Sequence, residues 1–583
     1  MPVVLGLNTG HNASAALLKD GEIVSAVQEE RIVRLKNYRG FPSNSVNFVL
    51  SDSNLQLSDI DLVVYSSGPP VFLTGISQEI SGIAQKFVYS IGDVSTRILN
   101  SLEYHIPPLT TVKNSLLAPY HNAIRLKLGF NMLNQLANSL QKSKEDILYA
   151  DHHTCHAFSS VFGFKQSGDS LIFTLDGEGE GISGSVSVFS PTTQHLERLS
   201  VVLPESSLGL MYAESTKYLG MKAIEDEYKV MGLAPYSDIN KGNSVRKILN
   251  NLVYNNENSP LTFDSKIRTD LTGRYLHKNA NSYRFDQIAL GVQSHLESIV
   301  SKWVSNAISL TNIRRVYASG GVFMNVKLNL KLSELNDVNH FCPFPSGGDE
   351  SNSIGAAYYG FKVLSGDSPN PLKSLYLGPS YSDAEIEKSV SSIKSEFKVE
   401  HYSKIEDELS DLLSDHKIVA RFCGKMEFGS RALGNRSILS NPSDMTVIRD
   451  LNLRVKKRDF WMPFAPSILA ERVNDYMINP GEIDSPYMNM AFHSTDLAQK
   501  DLIATIHPYD HTLRPQILSR SQNPRYYDLI KQFEAKTGIG GILNTSFNLH
   551  GDPIVCTPEQ AINTLRNSGL EYLSIGDYLI SKS

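Results

Sequence analysis

The sequence predicts a two-part protein of mixed α/β and α+β class: a first part, about residues 1–365, built on a duplicated strand meander, and a separate α+β part over 372–583. Three observations predict it. The chain has 583 residues, too many for one hydrophobic core, so two to four domains are expected. A strand–turn–strand pattern occurs twice in the first 360 residues. A Gly/Ser/Pro stretch, Ser365-Gly366-Asp367-Ser368-Pro369-Asn370-Pro371, has the composition of a linker.

In the first copy, apolar Val3–Leu7 ends in the turn Asn8-Thr9-Gly10-His11-Asn12-Ala13-Ser14. Ala15–Leu18 follows, then a Lys19-Asp20-Gly21 turn and Ile23–Val27. In the second copy, Leu171–Leu175 turns at Asp176-Gly177-Glu178-Gly179-Glu180-Gly181 and resumes at Gly184–Phe189. Such recurrence implies a duplication, with halves near 1–165 and 166–365 facing each other across a cleft. Apolar residues at three-to-four spacing predict helices over Phe72–Leu102, Tyr120–Lys144 and Phe285–Leu310. The strand Arg315–Ala318 runs into Ser319-Gly320-Gly321, and in the last part Lys417–Phe422 reads as a short strand among amphipathic helices.

Composition narrows the class. Hydrophobic content of 41% and charged content of 20% are those of a globular protein, and a net charge of −6 gives no overall basic footprint for nucleic acid. The four cysteines (Cys155, Cys342, Cys423, Cys556) are far apart, which excludes a cysteine-rich zinc module or disulfide scaffold and fits a reducing cytosol. The N-terminus shows no signal-peptide pattern, and no apolar run reaches the roughly 18–20 residues that span a bilayer. A cytoplasmic protein with neither membrane nor nucleic-acid partner is expected.

Five constellations carry chemistry. In Asp151-His152-His153-Thr154-Cys155-His156, a four-residue interval puts His152 and His156 on one helix face, about 5–6 Å apart at Cβ, a spacing suited to two ligands of one metal. The alternative is a helix start capped by Asp151 with packed histidines. The glutamate of His-Glu-x-x-His is missing, which disfavours a zinc protease. Phe344-Pro345-Ser346-Gly347-Gly348-Asp349-Glu350-Ser351-Asn352-Ser353 offers close backbone approach, a helix start, and in Asp349 a carboxylate able to complete a two-histidine site; a plain helix cap is the alternative. Ser319-Gly320-Gly321 has the form of a nucleotide-contact turn or of an ordinary tight turn. There is no P-loop and no dinucleotide fingerprint, so ATP would be held by opposed strand–turn–strand loops. Glu30–Lys36 is a charged run whose plain reading is a solvated face. Finally Gly424–Ser437, Arg454–Arg458 and Asp510–Gln516 interleave basic residues with glycines and hydroxyls, which suits a small phosphate ester.

Together these motifs resemble the NodU/CmcH carbamoyltransferase family over nearly the whole chain. The matching blocks are His11-Asn12-Ala13-Ser14-Ala15-Ala16, the His152–His156 segment, Glu227–Ala234, Ser319–Val322, Gly347–Glu350, Glu427–Ser437 and Asn544-Thr545-Ser546-Phe547-Asn548. The resemblance implies a first domain of the duplicated actin/hexokinase-like (ASKHA) type, similar to the threonylcarbamoyltransferase that modifies tRNA, and a YrdC-like second domain. It implies that carbamoyl phosphate is cleaved in the second domain, that carbamate and ATP give carbamoyl adenylate, and that a hydroxyl attacks the carbamoyl carbon in the first domain. The cofactors so implied are ATP with Mg(II) and a divalent metal, iron(II) in the family. Residue by residue, His152, His156, Asp349 and Asp176 would be metal ligands. His11 would be the base or orienting group at transfer, and Gly320, Gly321 and Lys229 would hold nucleotide. Lys36, Arg431, Lys456 and Arg514 would line the path of carbamoyl phosphate and its products.

The expected function is ATP-dependent O-carbamoylation of a hydroxyl on a small secondary metabolite or sugar, as in the antibiotic O-carbamoyltransferases of the family. The alternatives are a tRNA threonylcarbamoyl-type transferase and a non-catalytic nucleotide-binding scaffold. Two positions depart from many relatives: Met462 precedes Pro463-Phe464-Ala465-Pro466 where an arginine is usual, and His550-Gly551-Asp552-Pro553 replaces a basic residue and Gly-Glu-Pro. Both remove fixed positive charge from the region assigned to the donor.

Overall fold

A computed structural model describes residues 2–66 and 133–582. The helix expected at Phe72–Leu102 lies outside the described residues. So does most of that at Tyr120–Lys144, of which 133–140 are helical. The chain divides into two compact units. The first holds Met1–Val24, Asn37–Phe323 and Glu334–Pro371; the second holds Ser25–Lys36, Met324–Ser333 and Leu372–Ser583.

The first unit carries the duplication. Strands β1 (Val3–Asn8), β2 (Ser14–Lys19), β3 (Glu22–Gln28), β4 (Leu62–Ser66) and β5 (Ile147–Tyr149) form a sheet ordered β3-β2-β1-β4-β5. A second sheet contains β6 (Ser170–Gly179), β7 (Ile182–Ser190), β8 (His195–Val202), β11 (Arg315–Ser319) and β12 (His340–Pro343), in the order β8-β7-β6-β11-β12; β9 (Val253–Asn255) and β10 (Phe263–Ser265) pair separately. The two orders are one order: each sheet is centred on its first strand. The central strand pairs antiparallel with its successor and parallel with the fourth, and the fourth pairs parallel with the fifth. That repeat is the duplicated actin/hexokinase-like architecture.

Local chemistry explains the hairpins. Asp20 and Gly21 both have positive φ (55° and 82°), as a two-residue turn between twisted strands requires. Glu180 and Gly181 (50° and 86°) make the same turn between β6 and β7. The turn expected over 176–181 is thus shorter than the sequence suggests. β6 runs on to Gly179, and a register shift between Leu175 and Gly179 leaves Asp176, Gly177 and Glu178 bulged from the ladder.

Two helices set the site. The helix His152–Phe162 starts at Asp151, whose carboxylate accepts the Thr154 N–H at 3.0 Å. The helix Asn352–Ser365 follows a single tight turn, Asp349–Ser351. These helices touch at Gly355, where a Cβ would stand 1.9 Å from the Cys155 carbonyl oxygen, so only glycine permits the approach. The 27-residue helix Phe285–Thr311 buries Trp303 and ends at Asn312 in the left-handed region.

The second unit is built on an eight-stranded mixed sheet. In sheet order its strands are Lys398–His401, Tyr578–Ser581, Tyr572–Ile575, Val419–Phe422, Arg436–Ser440, Gly541–Ser546, Ala465–Leu469 and Gln516–Leu518. Its core gathers Ile418, Ala420 and Phe422 with Ile438, Leu543, Phe547 and Leu573. Among the described residues no helix is long and apolar enough to cross a membrane.

Candidate metal centre and anion site

His152 and His156 lie on the first and fifth residues of their helix and are both buried, at 4% and 0% exposure. Their Nε2 atoms are 3.0 Å apart. His152 Nε2 is 3.5 Å from Asp176 Oδ2 and 3.5 Å from Asp349 Oδ1; His156 Nε2 is 3.3 Å and 3.7 Å from the same two oxygens. One ligand atom from each of the four residues lies within 4.8 Å of every other. Capping and ligand geometry therefore coexist: Asp151 starts the helix, and that start is what aligns the histidines.

The β6 bulge accounts for Asp176. Released from the ladder, its carboxylate turns to the histidines, with Oδ1 accepting from Gly177 N–H (2.6 Å) and Oδ2 from Gly321 N–H (3.1 Å). Asp349 is delivered by the tight turn before the Asn352 helix. The electrostatics fit a cation. Burial alone would lower the His152 pKa, but Asp349 and Asp176 outweigh it and raise it to about 9. Burial would raise that of Asp176, yet bonds from both histidines hold it well below the carboxylate range. By contrast His153, with Nδ1 2.8 Å from Thr174 Oγ1 and Nε2 3.1 Å from the Ile182 carbonyl, is pushed down to about 3 by burial and by His152 and His156. It is a neutral core histidine.

The donor set, two imidazoles and two carboxylates, is of a kind that holds first-row divalent ions. Both imidazoles meet a polar side chain through Nδ1. For His156 it is Ser319 Oγ at 3.1 Å, and for His152 the Asn352 amide at 3.2 Å. Glu180 accepts the His152 backbone N–H at 2.7 Å. The sequence flagged Ser319 only as part of a glycine turn and did not single out Asn352.

His11 is half-buried in the β1–β2 turn and its carbonyl accepts from Asn8 Nδ2 at 2.8 Å. That turn ends at Ser14, whose hydroxyl donates to the Glu350 carbonyl at 2.8 Å, beside Asp349. Gly320 has φ +107°, and a Cβ there would stand 2.3 Å from the Leu175 carbonyl oxygen. Its N–H donates to the Gly347 carbonyl (2.9 Å) as that of Gly321 does to Asp176, so the glycines here admit the Leu175–Asp176 segment and both N–H groups have partners within the protein. Lys229 pairs with Asp226 at 3.1 Å.

In the second unit the expected basic residues part company. Lys456 is buried, with its ammonium donating to the Ser546 carbonyl, to Ser546 Oγ (3.1 Å), and to Asn548 O (3.2 Å) and Oδ1 (2.8 Å). It pins the chain where the strand Gly541–Ser546 ends and Phe547–Asn548 begins. Arg436 is fully buried among the carbonyls of Cys423, Asn435, Pro379 and Gly424, and Glu427 Oε1 accepts the N–H groups of Leu433, Asn435 and Arg436. Much of the Glu427–Ser437 block is thus scaffold. Arg514 differs: burial, then Arg431 and Arg458, push its pKa well down. Its guanidinium also donates to the Met488 carbonyl at 3.3 Å.

Arg458, the last residue of the basic run Arg454–Arg458, reaches Thr545 Oγ1 at 3.3 Å, and Met462 is buried. His550 is exposed. Lys36 is exposed in the second unit, and the run before it is not a solvated face. There Arg31 donates to the Gly429 carbonyl (2.7 Å) and Arg34 to that of Ile554 (2.7 Å).

Two family descriptions match the chain: carbamoyltransferase N-terminus over residues 3–358 and carbamoyltransferase C-terminus over 410–582. Nodulation protein NolNO of Sinorhizobium fredii is 31% identical over 98% of this chain and 79% of its own length. An uncharacterized protein of Methanocaldococcus jannaschii, MJ1051, is 31% identical over 100% of both chains. Among solved structures, component A of the Acidaminococcus fermentans (R)-2-hydroxyglutaryl-CoA dehydratase aligns with 62% of this chain and 97% of its own, at 14% identity and a TM-score of 0.33.

Proposed function

The chain belongs to the carbamoyltransferase family, and we propose that it is an ATP- and metal-dependent O-carbamoyltransferase. The observation that carries this reading is the convergence of His152, His156, Asp176 and Asp349 beside the Gly320–Gly321 turn. In this reading carbamoyl phosphate is cleaved to carbamate and phosphate. Carbamate and ATP give carbamoyl adenylate and pyrophosphate, and an acceptor hydroxyl takes the carbamoyl group with release of AMP. Residues 372–583 are assigned the activation steps and 1–365 the transfer.

The residue chemistry supports this division. Arg431, Arg458 and Arg514 present a concentration of guanidinium charge that a doubly charged phosphate ester relieves. Lys456 holds the adjoining loop, and Lys36 is assigned to the path of the activated carbamoyl group. In the first unit Gly320 and Gly321 are assigned to the nucleotide, and Lys229 to its phosphates. A divalent ion, when bound by the two histidines and two aspartates, supplies Lewis-acid polarisation of a carbamoyl or phosphoryl oxygen. His11, on the turn fastened to Glu350, is assigned to take the proton of the attacking hydroxyl or to orient the carbamoyl group. The acceptor class proposed is a hydroxylated small molecule, a sugar or secondary metabolite.

The test is mass spectrometry of the protein incubated with labelled carbamoyl phosphate, ATP and a panel of hydroxylated metabolites. A labelled carbamate ester together with AMP is expected. Asp349→Asn should lower transfer by about 100-fold or more, as loss of a metal ligand does where the ion polarises the reacting group. Undiminished transfer by Asp349→Asn would refute the metal-centred version.

A further inference from the structure

An imidazole that ligates a metal through Nε2 must carry its proton on Nδ1, and that N–H needs an acceptor to fix the ring. For His156 the partner at Nδ1 is a hydroxyl, Ser319 Oγ, which can accept. For His152 it is the amide of Asn352. Asn352 is wholly buried at the start of the helix Asn352–Ser365. Its Nδ2 stands 3.2 Å from His152 Nδ1 and 3.4 Å from His156 Nε2, while its Oδ1 is buried with no hydrogen-bond partner.

That arrangement sets a conflict. If Nδ2 donates to His152 Nδ1, the ring proton sits on Nε2, the atom facing His156, Asp176 and Asp349. Such a tautomer cannot ligate through Nε2. Half a turn of the amide exchanges two atoms of nearly equal size and brings the unused Oδ1 to His152 Nδ1. The ring then donates from Nδ1, and the Nε2 lone pair is left for the ion. Backbone geometry keeps the amide in reach, because Gly355, three residues on, lets this helix lie against the carbonyl of Cys155 on the histidine helix.

Resting on the metal reading above, we propose that Asn352 is a positioning residue that accepts a hydrogen bond from His152 Nδ1 through Oδ1, and thereby holds His152 in its metal-binding tautomer. The unused buried oxygen marks it.

The experiment is Co(II) binding to the full chain, followed by titration calorimetry and by d–d absorption at pH 8, for the wild type and for Asn352→Leu, Asn352→Asp and His156→Ala. Leucine keeps the size and removes the acceptor, so Co(II) affinity should fall about 10–100-fold, the range for loss of an outer partner. Aspartate keeps an acceptor and loses the donor, so affinity within about threefold of wild type, or tighter, is expected with the wild-type spectrum. Leucine binding as tightly as wild type would overturn the proposal. So would aspartate binding as weakly as leucine, because the amide would then be acting as a donor. Should Asn352→Leu fail to fold in a urea titration, Asn352→Asp decides alone: a loss of about tenfold or more overturns the acceptor role, and retention supports it. If wild type binds no Co(II), or His156→Ala binds it equally well, the metal reading itself fails. That outcome is separate from any behaviour of the Asn352 variants.

Discussion

Proton and metal should compete for His152, and the competition has a calculable size. In the metal-free protein Asp349 and Asp176 overcome the cost of burial and raise the His152 pKa to about 9. An ion must therefore displace a proton at any pH below that value, and apparent affinity falls by a factor of 1 + 10^(9 − pH), about tenfold per unit. Between pH 8 and pH 6 the loss is about 90-fold, or ~2.7 kcal/mol. His153, at about 3, stays neutral throughout and adds nothing. Calorimetric titration with Co(II) at pH 6, 7 and 8 measures the slope, and repetition in buffers of different ionisation enthalpy counts the proton released, about one per ion at pH 7. The same pKa fixes a sign for stability. Raised above its unfolded value of 6.5, His152 stabilises the metal-free fold below pH 6.5, and that contribution is lost as pH rises through about 9. Added metal should restore what alkali removes. An affinity flat from pH 8 to 6 in folded protein, or an unchanged slope in His152→Gln, would refute the reasoning.

Three further predictions follow from other parts of the molecule. Arg514→Met should leave the unliganded protein at least as stable, because burial, then Arg431 and Arg458, disfavour its charge; phosphate should raise the melting temperature of the wild type and not that of the variant, and an equal rise in both would place the proposed anion site elsewhere. Gly355→Ala would place a methyl 1.9 Å from the Cys155 carbonyl oxygen, so urea denaturation should show a loss of about 1–3 kcal/mol or more, with weaker Co(II) binding as the histidine helix is displaced. His295, buried beside Arg246 with Nδ1 3.0 Å from Asn250 Oδ1, has its pKa pushed down to about 3. The unfolded chain binds that proton first, so stability should decline as pH falls from 6.5 towards 3, and His295→Gln should show a shallower decline in acid denaturation.

Much of the fold was legible because hydrophobic alternation and turn chemistry are local. The Asp20-Gly21 turn, the strand at Arg315 and the long helix from Phe285 are each specified by neighbouring residues, and the recurrence of one pattern exposed the duplication. The 152/156 interval likewise placed two imidazoles on one helix face. Their partners were not local. Asp176 reaches the histidines because a bulge takes it out of the ladder, and Asn352 because a glycine lets two helices close to backbone contact. Sequence alone could not separate the basic residues of the second unit, since Arg436, Lys456 and Arg514 are all cations in Gly- and hydroxyl-rich company. Burial and partners separated them: Arg436 donates to four carbonyls and Lys456 to four oxygens of Ser546 and Asn548, whereas Arg514 donates to the Met488 carbonyl and has Arg431 and Arg458 acting against its charge. Residue type and spacing determined which chemistry this chain carries. Only the tertiary structure decided which charges meet oxygens within the fold and which face like charges, because that depends on groups far apart in sequence meeting in a medium without water.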